Sequence, residues 1–143
     1  MRKVNVGVDL RVLDRRRFLK LVGIAADGMI WYVNSSQGRL GRFDPETGEI
    51  KEWPSPSGPR SHPYAIVVLN GVIWYNESGQ RPDTLVRFDP KTETFQSWAI
   101  PSGGVHAGII RHMRATPDGN LIIHQSSTNR IILVTPVRGV ASR

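Results

Sequence analysis

The chain has 143 residues, which is enough for one domain with its own core and short for two. Charged residues make up 22% and hydrophobic residues 39%, a composition typical of an ordered globular chain rather than a disordered one. Because the chain contains no cysteine, disulfides, thiolate metal sites and thiol catalysis are excluded.

The net charge of +7 is concentrated near the N-terminus. Residues 1–20 hold seven basic and two acidic side chains, whereas the remaining residues hold twelve basic and ten acidic ones. A basic groove on the body of the protein is therefore weakly supported, and we expect no nucleic-acid partner. No apolar run approaches the length of a membrane span, so we expect no membrane partner either.

The first predicted element is a basic N-terminal arm, residues 1–20. Within it, residues 3–13 (KVNVGVDLRVL) carry Val or Leu at every second position from Val4 to Val12, which is the period of a half-buried strand. We expect this strand to be ordered and to pair with the outer edge of a sheet. Residues 15–17, three consecutive arginines, then fall in an exposed turn.

The end of the arm raises the question of export, because residues 16–20 (RRFLK) fall within a twin-arginine-like pattern. The apolar stretch that follows, residues 21–26, is shorter than the ~7–15 apolar residues of a signal peptide, and a core strand over residues 18–26 is the favoured explanation. The sequence leaves the compartment open and favours a cytoplasmic location over periplasmic export.

The rest of the chain, residues 21–143, is built from an internal repeat. Three related phrases begin with a DG or NG turn at Asp27 (DGMIWYVNSSQGRLGRFDP), Asn70 (NGVIWYNESGQRPDTLVRFDP) and Asp118 (DGNLIIHQSSTNRIILVTP). Each contains a turn, a short apolar or aromatic strand, a polar loop, a second strand and a turn at a proline. A period of this length is typical of solenoids and propellers, and it predicts units near residues 21–63, 64–111 and 112–143.

Further strands complete the units. The stretches EIKEWPSP and TFQSWAIPS each predict a strand after the repeated phrase, and PYAIVV and IIRHMRAT each predict one before it. The sequence therefore predicts an all-β fold of β-propeller-type repeats, with four-stranded antiparallel blades and about three blades in all. The third unit lacks an obvious fourth strand. Because propellers typically have about four to eight blades, we expect a homo-oligomer that completes the propeller.

Three phrases of this chain resemble the repeats of the streptogramin B lyase (virginiamycin B lyase) family: GMIWYVNSSQGRLGRFDPETGEIKEWPSPSG, SHPYAIVVLNGVIWYNES and IIRHMRATPDGNLIIHQSSTNRI. The resemblance covers about residues 21–136 and implies a shortened member of a family of seven-bladed propellers. It also implies an elimination reaction that opens an ester bond of a cyclic depsipeptide antibiotic. In such a reaction a base, a neutral histidine, removes a proton α to a carbonyl, and a divalent cation, typically Mg²⁺, stabilises the developing charge.

Aligning the units on their turn glycines assigns residues to these roles. The position seven residues before the glycine holds Leu21, Tyr64 and His112, and the family places a histidine there; the position six residues after it holds Asn34, Glu77 and Gln125, and the family places a glutamate there. The resemblance thus implies His112 as the catalytic base, Glu77 and Gln125 as metal ligands, and Tyr64 and Asn34 as ligand-binding residues. We expect Tyr64, Glu77, His112 and Gln125 to converge on the central face of the propeller.

Two readings of function stay open at this point. Gln125 stands where a second carboxylate is expected, and Mg²⁺ is attracted less by a neutral amide oxygen than by a carboxylate. The first reading is a lyase-like enzyme acting on a cyclic peptide or another small-molecule ester. The second is a non-catalytic propeller module that binds a small ligand or assembles with a partner. His112 and Glu77 are also compatible with purely structural roles, and the repeated Trp and Tyr residues are best explained as core packing.

Overall fold

The computed structural model of the chain describes residues 22–101, 110–125 and 129–136. The regular elements in these ranges are all β-strands. The described residues contain no helix that is long and apolar enough to cross a membrane. The predicted arm, residues 1–20, with its strand at residues 3–13, lies outside the described residues. The strands are β1 (Val22–Ile24), β2 (Ile30–Asn34), β3 (Arg39–Phe43), β4 (Ile50–Pro54), β5 (Pro63–Leu69), β6 (Val72–Glu77), β7 (Thr84–Asp89), β8 (Thr94–Ala99), β9 (Ile110–Ala115), β10 (Leu121–Gln125) and β11 (Arg130–Val134).

These strands form three antiparallel sheets, each built from consecutive strands. The first sheet has the order β1-β2-β3-β4, the second β5-β6-β7-β8 and the third β9-β10-β11. The predicted all-β fold of repeated meander sheets is confirmed. In the part of the chain that the structure describes, the third sheet has three strands where the other two have four.

The first hairpin of each sheet has a turn whose residues explain its backbone conformation. In the second sheet a two-residue turn, Asn70-Gly71, joins β5 to β6, and both residues have positive φ (52° and 74°), as a type I′ turn requires. In the first and third sheets the turn is one residue longer and ends at Gly28 and Gly119, with φ of 84° and 85°. The Asp27 carboxylate accepts a hydrogen bond from the Met29 amide at 3.0 Å, which closes the first of these turns.

The second strand of each sheet sends alternate side chains to opposite faces, since successive residues of a strand point to opposite sides. In β6, Ile73 and Tyr75 face the first sheet and Trp74 faces the third. Two apolar cores result, one at each junction between sheets. The core between the first and second sheets contains Trp31, Val33, Leu40, Trp53, Ile66, Ile73, Tyr75, Val86 and Phe88. The core between the second and third contains Ala65, Trp74, Leu85, Ile100, Ile110, Met113, Leu121 and Ile123.

The sheets are therefore stacked in chain order, with the innermost strands β1, β5 and β9 side by side. After its outermost strand each of the first two sheets passes directly to the innermost strand of the next, so that β4 leads to β5 and β8 leads to β9. Among the described strands, none packs on the face of the first sheet that points away from the second, or on the far face of the third sheet; these are called the open faces. The predicted site residues are distributed over these junctions and open faces.

Candidate functional site

Glu77, the predicted metal ligand, lies at the end of β6 and faces the first sheet, where it is fully buried. The Ser55 hydroxyl donates to its Oε1 at 2.5 Å, the Ser57 amide donates to the same oxygen at 3.0 Å, and the Ser57 hydroxyl donates to Oε2 at 2.5 Å. The Tyr75 hydroxyl lies 2.8 Å from the Ser55 Oγ and extends this network. Burial raises the pKa of Tyr75, which therefore stays a neutral phenol. Glu77 thus joins the loop after β4 to the second sheet.

Gln125 and Asn34 hold the same position as Glu77 in the other two sheets. Gln125 ends β10, is fully buried and faces the second sheet. Asn34 ends β2 on the open face of the first sheet, where its side chain lies in a local turn. Its Oδ1 accepts hydrogen bonds from the Ser36 hydroxyl at 2.9 Å and the Gln37 amide at 3.3 Å. The three predicted residues therefore face three different surroundings, one at each junction and one at an open face.

The pairing register corrects the alignment of Tyr64 with His112. Ile66 pairs with Tyr75, and Met113 pairs with Ile123. Tyr75 and Ile123 are equivalent, because each is the fourth residue after the turn glycine of its sheet. The residue before Met113 is His112, and the residue before Ile66 is Ala65. Counting from the turn glycine shifts the second sheet by one residue, because its turn is one residue shorter. Tyr64 itself is half-buried in β5, and its role in ligand binding stays a prediction.

His112, the predicted base, lies in β9 with an exposed side chain. It pairs with His124 of β10, and the two imidazole rings are stacked with centroids 6.5 Å apart. This pair lies on the face of the third sheet that points away from the second, whereas Gln125 points toward it. His112 also borders a cleft of about 360 Å³ between β5 and β9, together with Arg111 and Arg114. The cleft is basic, and its lining contains no carboxylate.

The resemblance implied Mg²⁺, and the residues at the implied positions do not fit a Mg²⁺ site. Hydroxyl and amide hydrogens point at both oxygens of Glu77, which leaves the carboxylate committed to protein donors. Gln125 faces the other junction, between the second and third sheets. Among residues 22–101, 110–125 and 129–136, no group of three or more His, Asp or Glu side chains is arranged to hold a metal ion. The Mg²⁺ ligands stay a prediction for solution experiments.

The partners of Glu77 were not predicted from the sequence. Ser55 and Ser57 come from WPSPSG, and the second unit repeats the phrase as WAIPSG, so the signal was the recurrence of PSG after a tryptophan. At the position of Ser55 the second unit has Ile100, which is buried in the core with the third sheet. The polar contact at the first junction is therefore replaced by an apolar one at the second.

Asp83, a second buried carboxylate, serves the junction between the second and third sheets. The Ile110 amide of β9 donates to its Oδ2 at 3.4 Å, and the Arg81 guanidinium lies 3.6 Å from its Oδ1. Its side chain is fully buried, and burial raises the pKa of Asp83 despite these two partners, which lower it. Asp83 had not been singled out from the sequence, where an Arg-Pro-Asp loop is ordinary turn chemistry.

Comparison with known proteins bears on the fold. No family model and no curated protein sequence matches the chain. Among solved structures, virginiamycin B lyase from Staphylococcus aureus superposes with a TM-score of 0.71 at 16% identity, covering 85% of this chain and 39% of the lyase. A streptogramin B lyase structure gives 0.66 at 24% identity, covering 80% and 35%. The WD40 β-propeller domain of Doa1 gives 0.63 at 19% identity, covering 82% and 36%.

The chain thus spans less than two fifths of the length of these solved relatives. At these identities the likeness concerns the fold, because propeller repeats carry many unrelated functions. The observed architecture agrees with it: consecutive antiparallel meander sheets are stacked with their innermost strands side by side. The described residues thus have a β-propeller-type fold with three antiparallel sheets, similar to part of these solved propellers.

Proposed function

We propose that this chain is a non-catalytic β-propeller module that assembles with a second copy through its open sheet faces. The observation that carries the proposal is one repeated position. One position recurs in the third strand of each sheet, paired with the fifth residue after the turn glycine, and it is held by Leu40, Leu85 and Ile131. Leu40 and Leu85 face the sheet that follows their own, and Ile131 points to the open far face of the third sheet. Leu40 is 0% exposed and Leu85 5%, whereas Ile131 is 75% exposed. An aliphatic residue at this position is thus buried wherever another sheet follows.

The open face of the third sheet presents more than Ile131. Leu133 and Ile122 pair with each other on the same face and are 62% and 40% exposed. A contiguous apolar patch of this kind marks an interaction surface on a folded protein. The proposed occupant of this face is the open face of the first sheet in a second copy.

The first sheet offers a matching surface. Val22 and Ile24 of β1 point away from the second sheet, and so does Ile50 of β4. These three side chains are exposed by 56%, 72% and 48%. Head-to-tail stacking would bring the two apolar faces together and repeat the arrangement already present at the two internal junctions. Two copies related in this way would supply six sheets, within the range of closed propellers.

The proposal is tested by the molar mass in solution, measured by light scattering and analytical ultracentrifugation at micromolar concentration. We expect a dimer for the unaltered chain and a monomer for Ile131→Asp, because a buried unpaired carboxylate opposes association. Lys91→Asp, in an exposed turn, is the matched control and should remain dimeric. A well-folded monomer for the unaltered chain would overturn the proposal.

A lyase-like activity is the second candidate, and the exposed His112 beside a cleft supports it. Its imidazole is open to a substrate, whose proton α to a carbonyl is the one that a general base removes. Among the similar structures is a catalytically inactive variant of virginiamycin B lyase with quinupristin, at 20% identity and a TM-score of 0.62. The small-molecule or cyclic-peptide ligand expected from the sequence belongs to this candidate.

Quinupristin is therefore the probe for enzymatic activity, with Mg²⁺ added and the product analysed by mass spectrometry. Elimination opens the ring without adding water, so the product of a lyase has the mass of the intact compound, whereas hydrolysis adds one water. Turnover that is lost in His112→Ala and retained in His124→Ala would establish the lyase and overturn the non-catalytic proposal. No turnover by the unaltered chain would leave the assembly module.

A further inference from the structure

The junction between the second and third sheets contains an open groove, next to the exposed Trp98. Trp53 and Trp98 stand at the same position of β4 and β8, paired with Leu40 and Leu85. Each stacks on the tryptophan of its own second strand: Trp53 on Trp31 at 5.6 Å, and Trp98 on Trp74 at 6.0 Å. Yet Trp53 is 9% exposed and Trp98 is 47% exposed. The difference must come from what each tryptophan meets on the following sheet.

At the first junction, the outer strands of the second sheet cover Trp53. Its ring lies 4.9 Å from Phe88 of β7, which in turn packs against Phe95 of β8 at 4.6 Å. The Glu93 carboxylate, at the start of β8, accepts a hydrogen bond from the Trp53 indole. At the second junction, Val134 of β11 takes the place of Phe88, since both pair with the second residue after the turn glycine. The described residues supply no strand beyond β11 to take the place of β8.

The space where that strand would lie is a groove of about 690 Å³. One wall is formed by Trp74, Trp98 and Ile100 of the second sheet and the other by Ile132, Val134 and Pro136 of the third. The polar side chains of Arg87 and Gln96 also line the groove, and the Arg87 guanidinium is paired with Asp89 at 3.3 Å. The groove therefore combines a largely apolar wall with the outer edge of β11. An extended segment with apolar side chains on one side fits both features, because it can pair with the edge and cover Trp98 at once.

The spacing of the repeat identifies such a segment. Trp53 precedes the inner-strand residue Ile66 by 13 residues, and Trp98 precedes the equivalent Met113 by 15. In β1 the residue equivalent to Ile66 and Met113 is Val22. Counting back 13 to 15 residues from Val22 leads to residues 7–9, in the middle of the alternating stretch at residues 3–13. This stretch stands before the first sheet as β4 stands before the second and β8 before the third.

We infer that residues 3–13 of a second copy occupy the groove and form the fourth strand of the third sheet. In the two internal junctions, the chain passes from an outermost strand to the innermost strand of the adjacent sheet through eight residues (55–62) or ten (100–109). Residues 14–21, also eight in number, would make the same step from residues 3–13 to β1. The strand before β1 therefore belongs to the sheet that adjoins the first sheet, which in the proposed assembly is the third sheet of the other copy.

This inference rests on the proposed head-to-tail assembly and adds a strand exchange to it. The segment is donated in trans because, within one chain, the second sheet separates the first from the third. Each copy would give its N-terminal strand and receive that of its partner. The side of the segment that carries Val4, Val6 and Val8 would cover Trp98, and its backbone would pair with the outer edge of β11.

The test compares Val6→Asp with Asn5→Asp, which introduces the same charge on the neighbouring residue that points to the other side of the strand. The dimer dissociation constant is measured by sedimentation equilibrium, and acrylamide quenching of Trp98 is obtained from the difference between each variant and the same variant carrying Trp98→Phe. Circular dichroism checks that each variant retains its β-sheet content. For Val6→Asp we expect a dissociation constant at least about tenfold higher and stronger quenching of Trp98, because the carboxylate would enter a largely apolar groove whose one cation among the described residues, Arg87, is already paired with Asp89.

Asn5→Asp should change the dissociation constant by less than about threefold, as is usual for an exposed position. A dimer in which Val6→Asp behaves like Asn5→Asp in both measurements would overturn the strand exchange and leave the face-to-face assembly intact. A monomer for the unaltered chain, with Trp98 as open to acrylamide in it as in Val6→Asp, would overturn both. A monomer in which only Val6→Asp exposes Trp98 would show that the segment binds its own chain, and would overturn the exchange between copies.

Discussion

The two junctions between sheets are built from the same repeat and differ in how completely they are closed. At the first junction, Trp53 is buried against Phe88, and Glu77 binds Ser55 and Ser57 across the sheets. At the second, Trp98 is about half exposed and Ile100 replaces Ser55. The comparison indicates that the repeat specifies the sheets, whereas the junction that is closed in the described part of the chain is the one whose following sheet has a fourth strand.

The first prediction tests the apolar half of this comparison. Phe88→Ala should lower the free energy of unfolding by about 3 to 5 kcal/mol, because it leaves a cavity beside the rings of Trp31 and Trp53. The equivalent change at the second junction, Val134→Ala, should cost only about 1 kcal/mol, since Val134 is smaller and half-buried. Urea denaturation followed by circular dichroism measures both. Equal losses at the two positions would mean that the second junction is as closed as the first.

The second prediction concerns the polar half. Glu77→Ala should lower the free energy of unfolding by about 1 to 3 kcal/mol, because the hydroxyls of Ser55 and Ser57 lose their buried acceptor. Glu77→Gln keeps the volume and one acceptor oxygen, so it is the matched control and should cost less. Isothermal titration calorimetry with MgCl₂ accompanies the denaturation experiments. If Glu77→Ala left stability unchanged and removed Mg²⁺ binding, Glu77 would be a metal ligand and its place in the first junction incidental.

The third and smallest effect is a pH dependence at the second junction. Burial raises the pKa of Asp83 above its ordinary value of 3.8, so the folded state favours the protonated carboxyl group. The stability contributed by Asp83 is therefore fully present below pH 3.8 and is lost as the pH rises through the raised pKa. Relative to Asp83→Asn, which does not titrate, the unaltered chain should become less stable as the pH rises toward neutrality. Urea denaturation of both proteins at several pH values measures the difference, and parallel pH profiles would contradict it.

Much of the fold could be predicted from the sequence, because the information lies in local patterns. The turns at Asp27, Asn70 and Asp118 are fixed by residues that tolerate positive φ, and the alternation of side chains between them fixes strands. The position of the inner strand was predicted less well. The turn at Asn70 is one residue shorter than the other two. In the second sheet, the position equivalent to that of His112 is therefore held by Ala65 rather than Tyr64.

The candidate site was predictable only as a set of positions. Repeat alignment singled out Glu77 and Gln125 because they differ among the units, and that difference is real. It could not indicate that Glu77 would meet Ser55 and Ser57, which lie about twenty residues earlier in the chain, in the loop after β4. Contacts between neighbouring sheets depend on how the sheets stack and on the register of their strands. The spacing of residues within one repeat does not determine either.

The sequence by itself determined the local units of this protein: strands, turns, a polar loop between them, and their repetition three times. These follow from side-chain alternation and backbone preferences over a few residues. Only the tertiary structure decided which face of each strand meets a neighbouring sheet, and hence that Leu40 is buried while Ile131 is exposed. The physical reason is that burial depends on what packs against a face, and the apolar residues at this position are chemically alike in all three sheets.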